Sequence, residues 1–185
     1  MPVDPAQLRI QTFPAAVLKQ PAGEIDLNDE TRAVARRMIE LMHSAEGIGL
    51  AAPQIGLSWR LFVAHVPASE PAELESDNPT ATAAPEAYFN PVIQRREGSP
   101  EIASEGCLSL PGITGDVMRQ PIVEMHWTDL KGNARTARAG GLLARCWQHE
   151  MDHLDGVLIL DRMTEPSRVK MKPQIRALEK QASNR

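Results

Sequence analysis

The sequence has few cysteines, no export-signal pattern and no long apolar run, and each absence excludes a class of protein. Only two cysteines occur among the 185 residues, so the chain is not a small scaffold built on disulfides. No apolar stretch approaches the roughly 18–20 residues that a membrane span requires. The first residues also lack the basic-then-apolar pattern of a signal peptide. We therefore expect a cytoplasmic protein with reduced thiols and no membrane contact.

The composition is typical of a folded domain, with two segments that depart from the average. The chain is 42% hydrophobic and 24% charged, which excludes a disordered chain, and its length favours a single domain over residues 1–185. Residues 67–86 contain five acidic residues, no basic residue and four prolines, so we predict an acidic surface insert. Residues 162–185 contain seven basic residues and two acidic ones, which predicts a basic helical tail.

The pattern of apolar residues predicts three helices and several short strands. The first helix follows Asn28, a suitable N-cap residue; the second runs over about 142–154, and the third lies within 167–182. Strand-type runs fall between the first two helices, with a hairpin turn at 129–133. The gaps between these runs are too short for crossover helices. We therefore predict an α+β fold in which short antiparallel sheets pack around the second helix, with one helix before them and one at the C-terminus.

The densest chemical motif lies on the second predicted helix, where residues 148–153 read Gln-His-Glu-Met-Asp-His. His149 and His153 are four residues apart, so their rings project from one helix face. Both imidazoles can then bind one metal ion, with Glu150 beside it as a general base. The alternative is two ordinary histidines and a helical glutamate. A hydrolytic metal site also needs a third protein ligand and an open position.

The spacing of residues does not decide which side chain is the third ligand. Cys107 follows a glycine, which lets the backbone approach a ligand closely, and His126 is an equal candidate. Cys146 precedes His149 by three residues, but it lies in an apolar run and is expected to form a wall of the site. A further cluster, residues 46–54, has two glycines followed by small residues. It indicates either a loop that another chain can approach or a plain helix-terminating turn.

Taken together in this order, the three clusters at 47–54, 105–109 and 148–153 resemble the signature motifs of the peptide deformylases. The resemblance extends from the first helix to about residue 161. It implies that Cys107, His149 and His153 are metal ligands. Glu150 would be the catalytic acid–base. The Gln54 side chain and the backbone N–H of Leu108 would donate hydrogen bonds to an oxyanion.

The resemblance also implies the substrate and the cofactor. The substrates would be N-formyl-methionyl nascent peptides, from which hydrolysis releases formate. One divalent metal ion would be bound, with Fe2+ as the natural metal and Zn2+, Ni2+ or Co2+ as substitutes. The peptide would add as a strand along Gly47, Ile48, Gly49 and Leu50. Its methionine side chain would enter a pocket walled by Ile48, Leu142, Cys146 and His149, whereas Arg145 is interpreted as a packing or surface residue.

One departure from the family pattern concerns peptide binding. Thr114 stands where many relatives have an arginine that helps to hold the peptide. The basic tail fits a family habit of docking on the ribosome, although the favoured interpretation of its charge is a solvated amphipathic helix packed on the domain. We expect a monomer. Two alternative functions are a peptidase that uses the same His-Glu-x-x-His helix, and a deformylase-like binding protein without activity.

Overall fold

The computed structural model describes residues 2–183; Arg185, which was counted in the basic tail, lies outside them, as do Met1 and Asn184. The described chain contains a five-stranded sheet, a separate two-stranded sheet and five α-helices, which confirms the predicted α+β class. The helices are α1 (Asp29–Ser44), α2 (Ala72–Glu75), α3 (Gly141–Leu154), α4 (Ile159–Arg162) and α5 (Glu165–Ser183). No helix among residues 2–183 is long and apolar enough to cross a membrane.

The first long helix begins where its sequence predicts. The Asn28 side chain accepts a hydrogen bond from the backbone N–H of Thr31, and the Thr31 hydroxyl accepts one from the N–H of Asn28. This reciprocal pair satisfies backbone donors that a helix start otherwise leaves unpaired. Helix α3 ends where it was predicted to end. Gly156, which follows it, has a φ of 72°, a conformation that favours glycine.

The larger sheet separates two halves of the core. Its strands are β1 (Gly49–Ala51), β2 (Leu61–Ala64), β3 (Glu86–Glu97), β6 (Ile122–Thr128) and β7 (Ala134–Gly140), all antiparallel in the order β1-β2-β3-β6-β7. One face packs on α3 through residues such as Phe62, Tyr88 and Trp147, and the other packs on α1 through residues such as Leu61 and Met38. Because both faces of the sheet are buried, the register of its strands is strongly specified, and the sheet in turn positions α3.

The predicted strand runs on either side of Asn90 form one strand in the structure. β3 continues through Asn90 and Pro91, with a register shift against β6 at this point. Asn90 has a φ of 49°, and its side chain bonds the backbone N–H and carbonyl of Ile25. A bulge of this kind accommodates the proline without ending the strand.

The two-stranded sheet was not predicted. Only residues 98–100 lie between β3 and the next strand. That sheet pairs β4 (Glu101–Gly106) with β5 (Thr114–Arg119). Its apolar residues Ile102 and Met118 are exposed, and its buried face includes Glu105 and Arg119. Because charged residues occupy inward positions, the usual alternation of apolar and polar residues is missing.

The acidic insert is not uniformly solvated. Residues 67–77 are mostly exposed and include the short helix α2, whereas Ala81 and Thr82 are buried. The Thr82 hydroxyl accepts a hydrogen bond from the N–H of Val66, and the carbonyl of Thr80 accepts one from the N–H of Leu143 near the start of α3. The second half of the insert therefore packs against the start of α3.

Candidate active site

A cavity of about 430 Å³ collects residues from all three sequence motifs. Ten of the twelve predicted site residues line it: Gly47, Ile48, Gly49, Gln54, Cys107, Leu108, Leu142, Cys146, His149 and Glu150. His153 is buried directly beneath, in contact with Cys107. The side chain of Leu50 does not line the cavity, because it is fully buried in the core against α1.

Three of these side chains meet closely enough to share one metal ion. The ligand atoms of Cys107, His149 and His153 all lie within 4.8 Å of one another. Cys107 Sγ is 3.2 Å from His153 Nε2, although 46 residues separate them in the sequence. Of the candidates that spacing left open, neither His126 nor Cys146 belongs to this cluster in the described chain. The loop after β4 therefore brings Cys107 to the histidine face of α3.

The chemistry of this donor set fits a divalent transition metal. One thiolate and two imidazoles suit zinc or ferrous iron, and three protein ligands leave a position open. The Nδ1 atom of His149 lies 3.0 Å from Glu105 Oε2, so its Nε2 atom is the one directed to the cluster. Burial and the neighbouring His149 hold the pKa of His153 well below its usual range, so this imidazole is neutral and ready to bind a metal.

A buried ionic network contacts the group formed by Cys107, His149 and His153. Glu105 bonds Arg119 through two contacts of 2.9 Å, and Arg119 reaches Asp152 on α3 at 2.6 Å. Arg145 Nη1 lies 2.8 Å from Glu105 Oε1. Burial alone would raise the pKa of Glu105, but hydrogen bonds from His149 and Arg119 outweigh it and hold this pKa well below the usual range. Glu105 is therefore a fixed anion that orients His149.

Glu150 is buried in the wall of the cavity beside Gly49. Burial, which disfavours the charged carboxylate, raises the pKa of Glu150 to about 7. Its Oε2 atom is buried and has no hydrogen-bond partner among residues 2–183. A carboxyl group that has a pKa near neutral pH and no hydrogen-bond partner for one of its oxygens is suited to exchange a proton with a bound molecule.

The Gln54 side chain is held in one orientation. Its Oε1 atom accepts a 2.8 Å hydrogen bond from the backbone N–H of Ala51. Its Nε2 atom therefore points toward the metal cluster, at 3.5 Å from Cys107 Sγ and 3.2 Å from the Ser109 hydroxyl. Gln54 is 1% exposed, so its side chain is a preorganised donor.

Gly49 leaves the room that Glu150 occupies, and this gives a prediction. A β-carbon at Gly49 would overlap Glu150 Oε1 and would lie 3.0 Å from Cys146 Sγ. We expect Gly49→Ala to displace Glu150 and to lower kcat about 100-fold, since a shift of about 1 Å at a catalytic group has this effect. A steady-state assay of the activity that the family resemblance implies measures it. Gly23→Ala is the control, because a β-carbon there meets nothing within 4 Å. Wild-type kcat in Gly49→Ala would contradict the close contact.

Sequence reasoning missed the buried ionic network that contacts the candidate metal-binding group. Glu105 lies within a quoted motif but was given no role, and Arg119 and Asp152 were not singled out. The signal that could have found them is charge at inward strand positions and on the buried side of α3. Arg145, interpreted as a packing or surface residue, lines the cavity, and so does Thr114.

Comparison with known proteins identifies the family. A sequence model described as polypeptide deformylase matches residues 7–169. The chain belongs to this family. A peptide deformylase of Parasynechococcus marenigrum is 42% identical over 159 residues, which cover 85% of this chain and 74% of that relative. Peptide deformylase 2 of Gloeobacter violaceus is 41% identical over 169 residues, covering 91% of this chain and 84% of that one.

Solved structures agree with the sequence comparison. The crystal structure of an Ehrlichia chaffeensis peptide deformylase has a TM-score of 0.85 at 30% identity and covers 96% of this chain and 97% of its own. A Synechococcus elongatus peptide deformylase, solved in complex with actinonin, has a TM-score of 0.78 at 39% identity and covers 93% and 87%. Removal of the formyl group from nascent peptides is the function of this family, so the chain is a hydrolase of formyl-methionyl peptides. The predicted deformylase activity is confirmed, and the peptidase and inactive-protein alternatives are not favoured.

Proposed function

We propose that Cys107, His149 and His153 hold one catalytic divalent metal ion, and that Glu150, Gln54 and the backbone of Leu108 carry out deformylation beside it. The observation that carries this proposal is the convergence of the three ligand atoms within 4.8 Å, next to a buried carboxyl group and an oriented amide. When bound there, a divalent metal polarises the formyl carbonyl and acidifies the attacking water.

The metal in the cell is proposed to be Fe2+, with Zn2+, Ni2+ or Co2+ as substitutes. The donor set is compatible with this assignment but does not select iron, because thiolate and imidazole ligands suit zinc and ferrous iron alike. Iron is the expectation that follows from membership of the family. The supporting chemistry is that Glu105 fixes His149, while the buried His153 is neutral at neutral pH.

Two donors would stabilise the oxyanion that grows on the formyl oxygen. The Gln54 amide is one, because its oxygen is already held by Ala51 and its N–H groups face the site. The backbone N–H of Leu108, which lines the same cavity, is the other. Preorganised donors of this kind act without reorganising during the reaction, so they favour the transition state over the substrate.

Glu150 would move the protons. In its carboxylate form it accepts a proton from the attacking water, and it then donates that proton to the amine that leaves. A carboxyl group with a pKa raised by burial serves both steps better than an exposed glutamate does. The products are formate and a peptide with a free N-terminus.

The peptide is proposed to bind along the edge strand β1. This strand is the first of the five-stranded sheet, so one side of its backbone is free of strand pairing in the described sheet. An added strand along residues 47–50, which include the start of β1, would place the first side chain in the cavity near Ile48, Leu142 and Cys146. Thr114 lines the cavity without offering the cation that many relatives have at this position.

Replacement of Gln54 tests the oxyanion role. We expect Gln54→Ala to lower kcat by about 10²–10³-fold, which corresponds to about 2.7–4 kcal/mol of transition-state stabilisation. Metal content should not change, since Gln54 is not a ligand. Steady-state kinetics with formyl-Met-Ala-Ser and metal analysis on one sample provide the check. An effect on KM alone would contradict the assignment.

Three further aspects of the proposal concern the cell. We place the enzyme in the cytoplasm, in protein biosynthesis, because its substrates are newly made formylated peptides. The basic helix α5, with exposed Arg168, Lys170 and Lys172, is compatible with docking near the ribosomal exit. The protein is proposed to work as a monomer.

The proposed reaction is tested by its products. Anaerobically purified protein should release one formate per formyl-Met-Ala-Ser consumed and should leave the Met-Ala and Ala-Ser bonds intact. Mass spectrometry of the peptide product distinguishes this outcome from that of a peptidase. Cleavage between residues of the peptide, or no formate with any loaded metal, would overturn the proposal.

A further inference from the structure

Arg145 occupies a position in the cavity that the proposed roles do not use. It lies on α3 one residue before Cys146, and its side chain is 14% exposed. The guanidinium does not point freely into the cavity. Its Nη2 atom donates to the carbonyl of Glu101 at 2.8 Å, and its Nη1 atom donates to the carbonyl of Val117 at 2.9 Å and to the Glu105 carboxylate.

These partners belong to both strands of the smaller sheet. Glu101 and Glu105 lie on β4, and Val117 lies on β5, so a single side chain of α3 reaches both strands of the hairpin. The hairpin is a separate sheet from the five-stranded one. It supplies Ser104, Gly106 and Thr114 to the lining of the cavity, and α3 supplies other lining residues.

Little apolar burial holds the outer part of this hairpin against the domain. Ile102 and Met118, which are paired across the two strands, are 57% and 56% exposed. Of the inward positions, Val117 is apolar and fully buried, but it packs in a core cluster that contains no residue of α3. The inward residues Glu105 and Arg119 are charged, at 7% and 5% exposure. The distance between the hairpin and α3 therefore depends on directed polar contacts more than on a shared hydrophobic core.

We propose that Arg145 is a specificity-determining residue that clamps the β4–β5 hairpin to α3 and thereby sets the width of the pocket for the first side chain of the peptide. Arg145 lines the pocket, and its guanidinium donates to the Glu105 carboxylate and to two backbone carbonyls. A clamped pocket accepts the narrow, unbranched methionine side chain and disfavours a broad aromatic ring. This inference rests on the proposed location of the substrate pocket.

The test compares side-chain selectivity in variants that separate the stem from the guanidinium. Arg145→Met keeps an unbranched apolar stem and removes the donors, whereas Arg145→Lys keeps the charge but not the forked geometry that binds three acceptors. The measurement is the ratio of kcat/KM for formyl-Met-Ala-Ser to that for formyl-Phe-Ala-Ser. This ratio does not depend on the folded fraction, so partial misfolding of a variant does not obscure it.

We expect the preference for methionine over phenylalanine to fall about tenfold in Arg145→Met and several-fold in Arg145→Lys, since a change of pocket size alters discrimination by about this amount. Arg138→Met is the matched control. Arg138 makes a similar two-contact ion pair with Glu97, at 3.0 Å for each contact, on strands away from the cavity. Its replacement should leave the ratio unchanged.

Hydrogen exchange gives a readout that does not require activity. Backbone amides of Glu101–Gly106 and Thr114–Arg119 should exchange about tenfold faster in Arg145→Met than in wild type, and not faster in Arg138→Met. Unchanged exchange in the hairpin, or a selectivity ratio within twofold of wild type in Arg145→Met, would overturn the clamp. Failure of the proposed reaction would be recognised separately, as absence of formate release by the wild-type protein.

Discussion

Glu150→Ala is expected to lower the kcat of deformylation at least 100-fold while the metal stays bound. Glu150 is not part of the cluster of Cys107, His149 and His153, so its loss removes no ligand. It is the buried carboxyl group beside the cluster, with one oxygen that has no partner in the described residues. Loss of a general acid–base lowers kcat by about 10²–10⁴-fold.

The measurement for this variant combines formate release with metal analysis by plasma emission on the same preparation. We expect kcat for formyl-Met-Ala-Ser to fall at least 100-fold, with metal content equal to that of wild type. Activity above about a tenth of wild type would exclude the acid–base role, because general acid–base catalysis contributes more than that. Loss of the metal would instead place Glu150 among the ligands.

Cys107→Ala is expected to lose both metal and activity, because it removes one of the three proposed ligands. The Cys107 sulfur lies 3.2 Å from His153 Nε2, so its loss leaves two imidazoles on one helix face. A two-ligand site holds a divalent ion weakly, and we expect the purified variant to contain less than about a tenth of the wild-type metal and no measurable activity.

The two cysteines of the chain form a matched pair for this test. Cys146 is buried, and its sulfur lies 3.5 Å from the carbonyl of Ile48, outside the ligand cluster of the described chain. Cys146→Ala should therefore keep the metal content of wild type, whatever it does to peptide binding. If Cys107→Ala kept the wild-type metal content, as Cys146→Ala is expected to do, Cys107 would be refuted as a ligand.

The parts of the site that depend on local spacing could be predicted from the sequence. His149 and His153 share a helix face because they are four residues apart, and the same pattern places Glu150 next to them. Helix α1 and its N-cap Asn28 follow from the same local rules. Spacing did not choose between Cys107 and His126, since their distance from α3 depends on the long-range pairing of strands; only the resemblance to the family indicated Cys107.

The hairpin β4–β5 and the network behind the metal cluster could not be predicted in this way. Sequence patterns detect strands by apolar residues that face a core, but here Glu105 and Arg119 face inward and Ile102 faces out. A buried carboxylate next to two arginines is stable only because of partners that lie far away in the sequence. Sequence patterns predict that charged residues at such positions are exposed, because the partners that allow them to be buried are distant in the sequence.

Reconstitution of the metal-free protein tests the central claim most directly, because the claim is that one metal ion held by three residues makes this cavity catalytic. Protein freed of metal by a chelator would be titrated anaerobically with Fe2+, and in parallel with Ni2+ and Zn2+, while formate release from formyl-Met-Ala-Ser is followed. We predict no activity without metal and a linear rise that saturates at one equivalent per chain. Full activity in the metal-free protein, or no formate with any of the three metals, would contradict the account.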